Sequence, residues 1–153
     1  MGVSAEDLER LREGIRGLSD RLRLATLFGS MVEGRAGPMS DVDVAVLPKE
    51  GVDRLELVAD LLEAVTGALP VTEDRVDVLF LDGVESLPLL YRAVVRGVPL
   101  YCEDPALYAE LRDRILSQYL DFAVFLRKME LGERFRRALS RWLHEAAQAP
   151  ADH

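Results

Sequence analysis

The sequence predicts an α/β (α+β) domain, a small mixed sheet backed by helices with a C-terminal helical extension. Three observations predict it. Apolar residues near the N-terminus recur at three- and four-residue spacing, residues 41–47 and 75–81 alternate as strands do, and the pattern from Pro105 onward is helical. With 153 residues, 49% apolar and 30% charged, the chain is long enough to bury a real core within one domain. The core of the fold is expected in residues 1–104, with residues 105–153 as a helical extension of the same domain.

Leu8, Leu11, Ile15 and Leu18 mark one face of an opening helix, which Ser4 caps with Asp7 three residues on. Residues 22–28 form a short apolar run that ends at Gly29-Ser30 and reads as a strand. Residues 33–38 contain Gly34 and Gly37 and read as loop or a frayed turn. Val42, Val44 and Val46 then fall on one side of a second strand that Pro48 stops. A helix follows over residues 52–69, with Leu55, Val58, Leu62, Val65 and Leu69 as its buried stripe. In residues 75–81 a third strand places Val76, Val78 and Phe80 on one face and Asp77 on the other. Helical spacing returns through Leu87, Leu90, Tyr91 and Val94 until Gly97, and residues 98–101 read as a last strand. From Pro105 on, Leu107, Leu111, Ile115, Leu116, Tyr119 and Phe122 are the expected core contacts, and Gly132 is where a final helix through Trp142 divides off.

Composition narrows the function. A net charge of −8 argues against nonspecific nucleic-acid binding, which needs basic surface. The exception is Arg127, Lys128, Arg134, Arg136, Arg137 and Arg141, clustered with only Glu130 and Glu133 among them. That segment reads either as the solvated face of a helix or as an electrostatic docking surface. No apolar run reaches membrane-spanning length, the acidic N-terminus is unlike a signal peptide, and Cys102 stands alone. A cytoplasmic protein with no membrane partner is expected.

The chemistry concentrates in Gly29-Ser30, ten further residues, and Asp41-Val42-Asp43. Residues i and i+2 of a strand share a face, so Asp41 and Asp43 point the same way. Like charges oppose each other's ionisation, and a cation between them removes the conflict. Magnesium is the hard, oxygen-seeking cation that such a pair holds, with a substrate phosphate completing its shell. The Gly29-Ser30 turn offers backbone N–H groups and a small hydroxyl to that phosphate. Asp77, on an adjacent strand, would bring a third carboxylate to the same sheet edge, a set able to bind two divalent ions.

These residues resemble the polymerase-β-type nucleotidyltransferase superfamily. The length, Gly34 and Ser40 are similar to its minimal nucleotidyltransferase branch, and most of all to the MntA antitoxins encoded beside HEPN ribonuclease toxins. The resemblance implies the nucleotidyltransferase fold, with Gly29 and Ser30 binding the triphosphate and Asp41, Asp43 and Asp77 binding two Mg2+ ions. Ser40 is either a second phosphate contact or the cap of its turn. It further implies transfer of AMP from ATP to a tyrosine hydroxyl of a HEPN-family toxin, with release of pyrophosphate. Two alternatives stay open: an antitoxin that neutralises by binding alone, and a nucleotidyltransferase acting on a small molecule. His144, seven residues after Arg137, superficially resembles the HEPN motif itself, but Ala138 stands where that family favours a polar residue.

Overall fold

The computed structural model describes residues 3–34 and 41–148. The chain divides into two compact units, Met1–Leu116 and Ser117–His153.

The first unit is built on a four-stranded mixed sheet in the order β3-β2-β1-β4, with β1 at Leu22–Phe28, β2 at Val42–Pro48, β3 at Val76–Phe80 and β4 at Val98–Cys102. Strand β1 runs antiparallel to both β2 and β4, while β2 and β3 are parallel. Parallel neighbours need a crossover, and helix α2 at Arg54–Ala68 supplies it. Helix α1 at Ala5–Arg16 precedes the sheet, and its N-cap is Ser4, whose side chain accepts from the Asp7 N–H at 3.1 Å.

Both faces of this sheet are covered. Leu11 and Ile15 of α1 pack with Leu57, Leu61 and Val65 of α2 against Val42, Val44 and Val46. On the opposite face Leu24, Phe28 and Ala45 meet Ala93, Val94 and Ile115. Burial on two sides is why β1 is apolar almost without alternation. The short helix α3 at Leu87–Leu90 runs into a single π-helical turn at Tyr91–Val95, closed by the Arg96 N–H donating to the Tyr91 carbonyl at 3.1 Å.

The predicted fold class and element order hold, with corrections. Of the stripe expected on α2, Val65 and Leu69 are buried, Val58 and Leu62 are half-buried and Leu55 is 82% exposed, while Leu57 and Leu61 supply the rest of the buried face. The reason is that α2 is apolar on most sides, so periodicity does not choose the face; packing on α1 does, where Gly14 lies against Ala64. Gly132 breaks nothing: helix α4 runs unbroken over Pro105–Gln148. An interior glycine costs a helix only about 1 kcal/mol, less than a break would. Of the core contacts expected along α4, Ile115 is buried, Leu107, Leu111, Leu116 and Tyr119 are half-buried, and Phe122 is exposed.

The second unit, from Ser117, is helix through Gln148. Its surface carries Val124, Phe125, Met129, Phe135, Trp142 and Leu143, all exposed. No helix among the described residues is long and apolar enough to cross a membrane.

Candidate active site

Strand β1 ends at Phe28, and the chain turns at once through the 3-10 turn Gly29–Met31. Gly29 adopts φ +82°, in the left-handed region that favours glycine. A β-carbon at Gly29 would also collide with the Asp43 carboxylate, which lies directly against the glycine. Both requirements follow from pairing, because Phe28 and Asp43 are register partners across β1 and β2. The Val32 and Glu33 N–H groups both donate to the Gly29 carbonyl, at 3.1 and 3.0 Å. Ser30 sits half-buried within this turn.

Parallel pairing of β2 with β3 sets Asp43 opposite Asp77. Asp43 is half-buried and Asp77 exposed. Burial pushes the Asp43 carboxyl above its ordinary value, and the neighbouring charges of Asp77 and Asp41 push it further the same way. The Arg92 guanidinium opposes them, and Asp77 accepts a hydrogen bond that favours protonated Asp43. Asp41 lies just before β2, exposed, with its carboxylate 3.6 Å from the Arg75 guanidinium. Asp43 and Asp77 are thus brought together, with the charge of Asp41 reaching the pair from its flank. Ser40 and Arg35 lie outside the described residues.

Among the described residues no three His, Cys, Asp or Glu side chains close into a cluster that holds a metal ion by itself. The donors present are all carboxylate oxygens, and burial first, then the charges of Asp77 and Asp41, outweigh Arg92 in holding Asp43 back from ionising. That chemistry fits a hard divalent cation whose remaining ligands come from elsewhere.

Three features were not found by sequence reasoning. Glu33, just beyond the turn, has a side chain only 5% exposed, and it pairs with Arg92 at 3.5 Å and Arg96 at 3.7 Å. Thr26, a buried polar residue on β1, donates from its hydroxyl to the Ala93 carbonyl at 2.7 Å. Gly97 packs so tightly on the Ala93 and Leu27 carbonyls that a β-carbon there would clash with backbone. Only Thr26 left a signal, as a lone hydroxyl in the run Leu22–Phe28.

Comparison with known proteins bears on the family and the fold. Residues 15–106 match the family model described as polymerase beta, nucleotidyltransferase. No curated protein matches the sequence significantly. Among solved structures, a chain of a toxin–antitoxin with AMP-PNP superposes with a TM-score of 0.58 at 23% identity, covering 84% of this chain and 98% of that one. The MntA–HepT toxin–antitoxin gives 0.53 at 21%, covering 84% and 97%. A complex of tri-AMPylated Shewanella oneidensis HEPN toxin with MNT antitoxin gives 0.54 at 21%, covering 84% and 96%. At these identities the likeness is one of fold.

Proposed function

Given that the chain belongs to the polymerase beta nucleotidyltransferase family, we propose that it transfers AMP from ATP to a tyrosine of a HEPN-type ribonuclease and so acts as its antitoxin. The observation that carries the reading is the Asp43 carboxylate lying against Gly29, opposite Asp77. It joins a phosphate-sized turn to an acidic pair within one site. The toxin–antitoxin complexes of similar fold, one holding AMP-PNP and one an AMPylated toxin, support the choice of nucleotide and acceptor.

In this reading the Gly29–Ser30 turn binds the triphosphate through backbone N–H groups and the Ser30 hydroxyl. Ser40 either adds a second phosphate contact or caps its turn. Asp41, Asp43 and Asp77 would hold Mg2+, which would supply charge neutralisation to the phosphates. Asp77 orients the acceptor hydroxyl and takes its proton. The acceptor oxygen bonds to the α-phosphorus as the bond to the bridging oxygen breaks, and pyrophosphate leaves. AMP on a ribonuclease tyrosine adds negative charge and bulk where RNA phosphate must sit.

A protein acceptor, rather than a small molecule, is favoured by the second unit. Phe135 and Trp142 are 68% and 62% exposed on a helix that shows several more large apolar side chains. Patches of that kind mark protein-docking surfaces.

The test is intact-mass spectrometry of the protein encoded by the adjacent gene, after incubation with this chain, ATP and Mg2+. The expected result is a gain of one or more AMP masses, reduced at least about a hundredfold in rate by Asp77→Asn. A stable complex with no mass change would replace transfer by neutralisation through binding. Transfer that survives both Asp41→Asn and Asp77→Asn would remove the acidic site from the mechanism.

A further inference from the structure

The π-helical turn at Tyr91–Val95 is fastened at three successive carbonyls. Thr26 donates to Ala93, the Tyr108 hydroxyl donates to Val94 at 3.3 Å, and the Arg112 guanidinium donates to Val95 at 3.4 Å. A π turn leaves carbonyls without their usual helical donors, and here side chains from β1 and the start of α4 serve them. Such turns occur often at functional sites, where they aim a side chain that a regular helix would point elsewhere.

The side chain aimed here is Arg92. It belongs to the turn that covers the same face of the sheet as Ala45, two residues along β2 from Asp43. Its guanidinium reaches Glu33, and the Glu33 N–H is bonded to the Gly29 carbonyl. Arg92 is therefore tied, through one residue, to the turn that carries Gly29 and Ser30. The Glu33 carboxylate is nine-tenths buried between two guanidiniums, and burying a charge is tolerable only when it is paired. Arg92 and Arg96 each remain about half exposed. Two guanidiniums at Glu33, with Arg92 also acting on the Asp43 carboxylate, stand beside a phosphate-sized turn and suit a polyphosphate.

We propose that Arg92 binds the phosphate end of the nucleotide and that Glu33 is its positioning residue, holding the guanidinium beside the Gly29–Ser30 turn. This rests on the nucleotide-binding reading of the site. The planar fork of an arginine takes two phosphate oxygens at once, and a lysine there would supply charge without that geometry. Arg96 shares the neutralisation of Glu33, so that carboxylate stays paired while it positions Arg92.

The experiment is calorimetric titration of the full chain with ATP and, separately, with inorganic tripolyphosphate, both with Mg2+. Arg92→Ala is expected to weaken both at least about tenfold, and Arg92→Lys to recover part of the loss. Glu33→Gln is expected to weaken both in the same direction, and to add nothing in an Arg92→Ala background. Independent structural effects would instead sum. Should Arg92→Ala fail to fold, Glu33→Gln with Arg92→Gln removes both members of the pair and is expected to lose tripolyphosphate binding as well. Unchanged binding of both ligands by a folded Arg92 variant overturns the proposal. So does a loss of ATP with tripolyphosphate unchanged, since Arg92 would then lie away from the phosphates. A wild-type protein that binds neither ligand overturns the nucleotide-site reading, and this inference with it.

Discussion

Asp43 is the residue at which burial and charge conflict most directly. Its carboxylate is pressed against Gly29 and faced by Asp77, and its pKa is raised first by burial and then by Asp77 and Asp41. The folded chain therefore binds this proton more tightly than the unfolded chain does. By linkage, Asp43 costs no stability below its ordinary value of 3.8, and the cost grows as pH rises to the elevated folded value. Above that value it is present in full. Asp43→Asn is accordingly expected to melt higher than wild type at pH 7 in the absence of metal, with the gap closing as pH falls from the raised folded value to 3.8. Added Mg2+ should raise the wild type and not the variant. Scanning fluorimetry across pH, with and without Mg2+, reads both effects. Equal melting temperatures at neutral pH would mean that the acidic pair is not under strain.

At the level of elements, the site depends on how the turn Tyr91–Val95 is fixed to β1. Thr26→Val keeps the shape of the side chain and removes the hydroxyl that serves the Ala93 carbonyl. The expected loss is about 1–3 kcal/mol, a fall in melting temperature of roughly 2–10 °C for a chain of this size. A variant that melts with the wild type would show that the carbonyl finds another donor. This bond also marks where sequence reading stopped. Strands β1, β2 and β3 were legible because alternation and turn residues are local, and the Gly29, Asp43 and Asp77 positions followed from them. The pairing of Asp43 with Asp77 needed only adjacent strands in parallel register. Glu33, Arg92 and Arg96 were not legible, because 59 residues separate Glu33 from Arg92 and nothing local to either predicts a contact. The face of α2 was legible only in part for a related reason, with Val65 and Leu69 buried as expected and Leu55 exposed. Leu55, Leu57, Val58, Leu61 and Leu62 satisfy two helical stripes at once, and only packing on α1 selects between them.

Over the whole molecule, charge and apolar surface are distributed unequally. The net charge is −8, yet residues 127–141 hold Arg127, Lys128, Arg134, Arg136, Arg137 and Arg141. Three of these arginines pair along the helix, Arg134 with Glu130 at 2.7 Å and Arg136 and Arg137 with Glu133 at 2.6 and 3.6 Å. Exposed pairs of this kind are worth only a few tenths of a kcal/mol each, enough to favour helix but not to bury it. Leu131, Phe135 and Trp142 meanwhile stay exposed at helical spacing, with Ala138 between the last two. Covering Leu131, Phe135, Trp142 and Leu143, each about half exposed, is worth on the order of 3–7 kcal/mol before the costs of association. Under the antitoxin reading, that unrealised burial is what the ribonuclease supplies. Phe135→Glu with Trp142→Glu is then expected to abolish co-purification with the adjacent gene's product. The melting temperature and ATP affinity of the variant should stay at wild-type values, because both side chains belong to the second unit and the nucleotide site to the first. If the complex survives the double substitution, recognition lies on the first unit, and the apolar helix face must be assigned to a different contact.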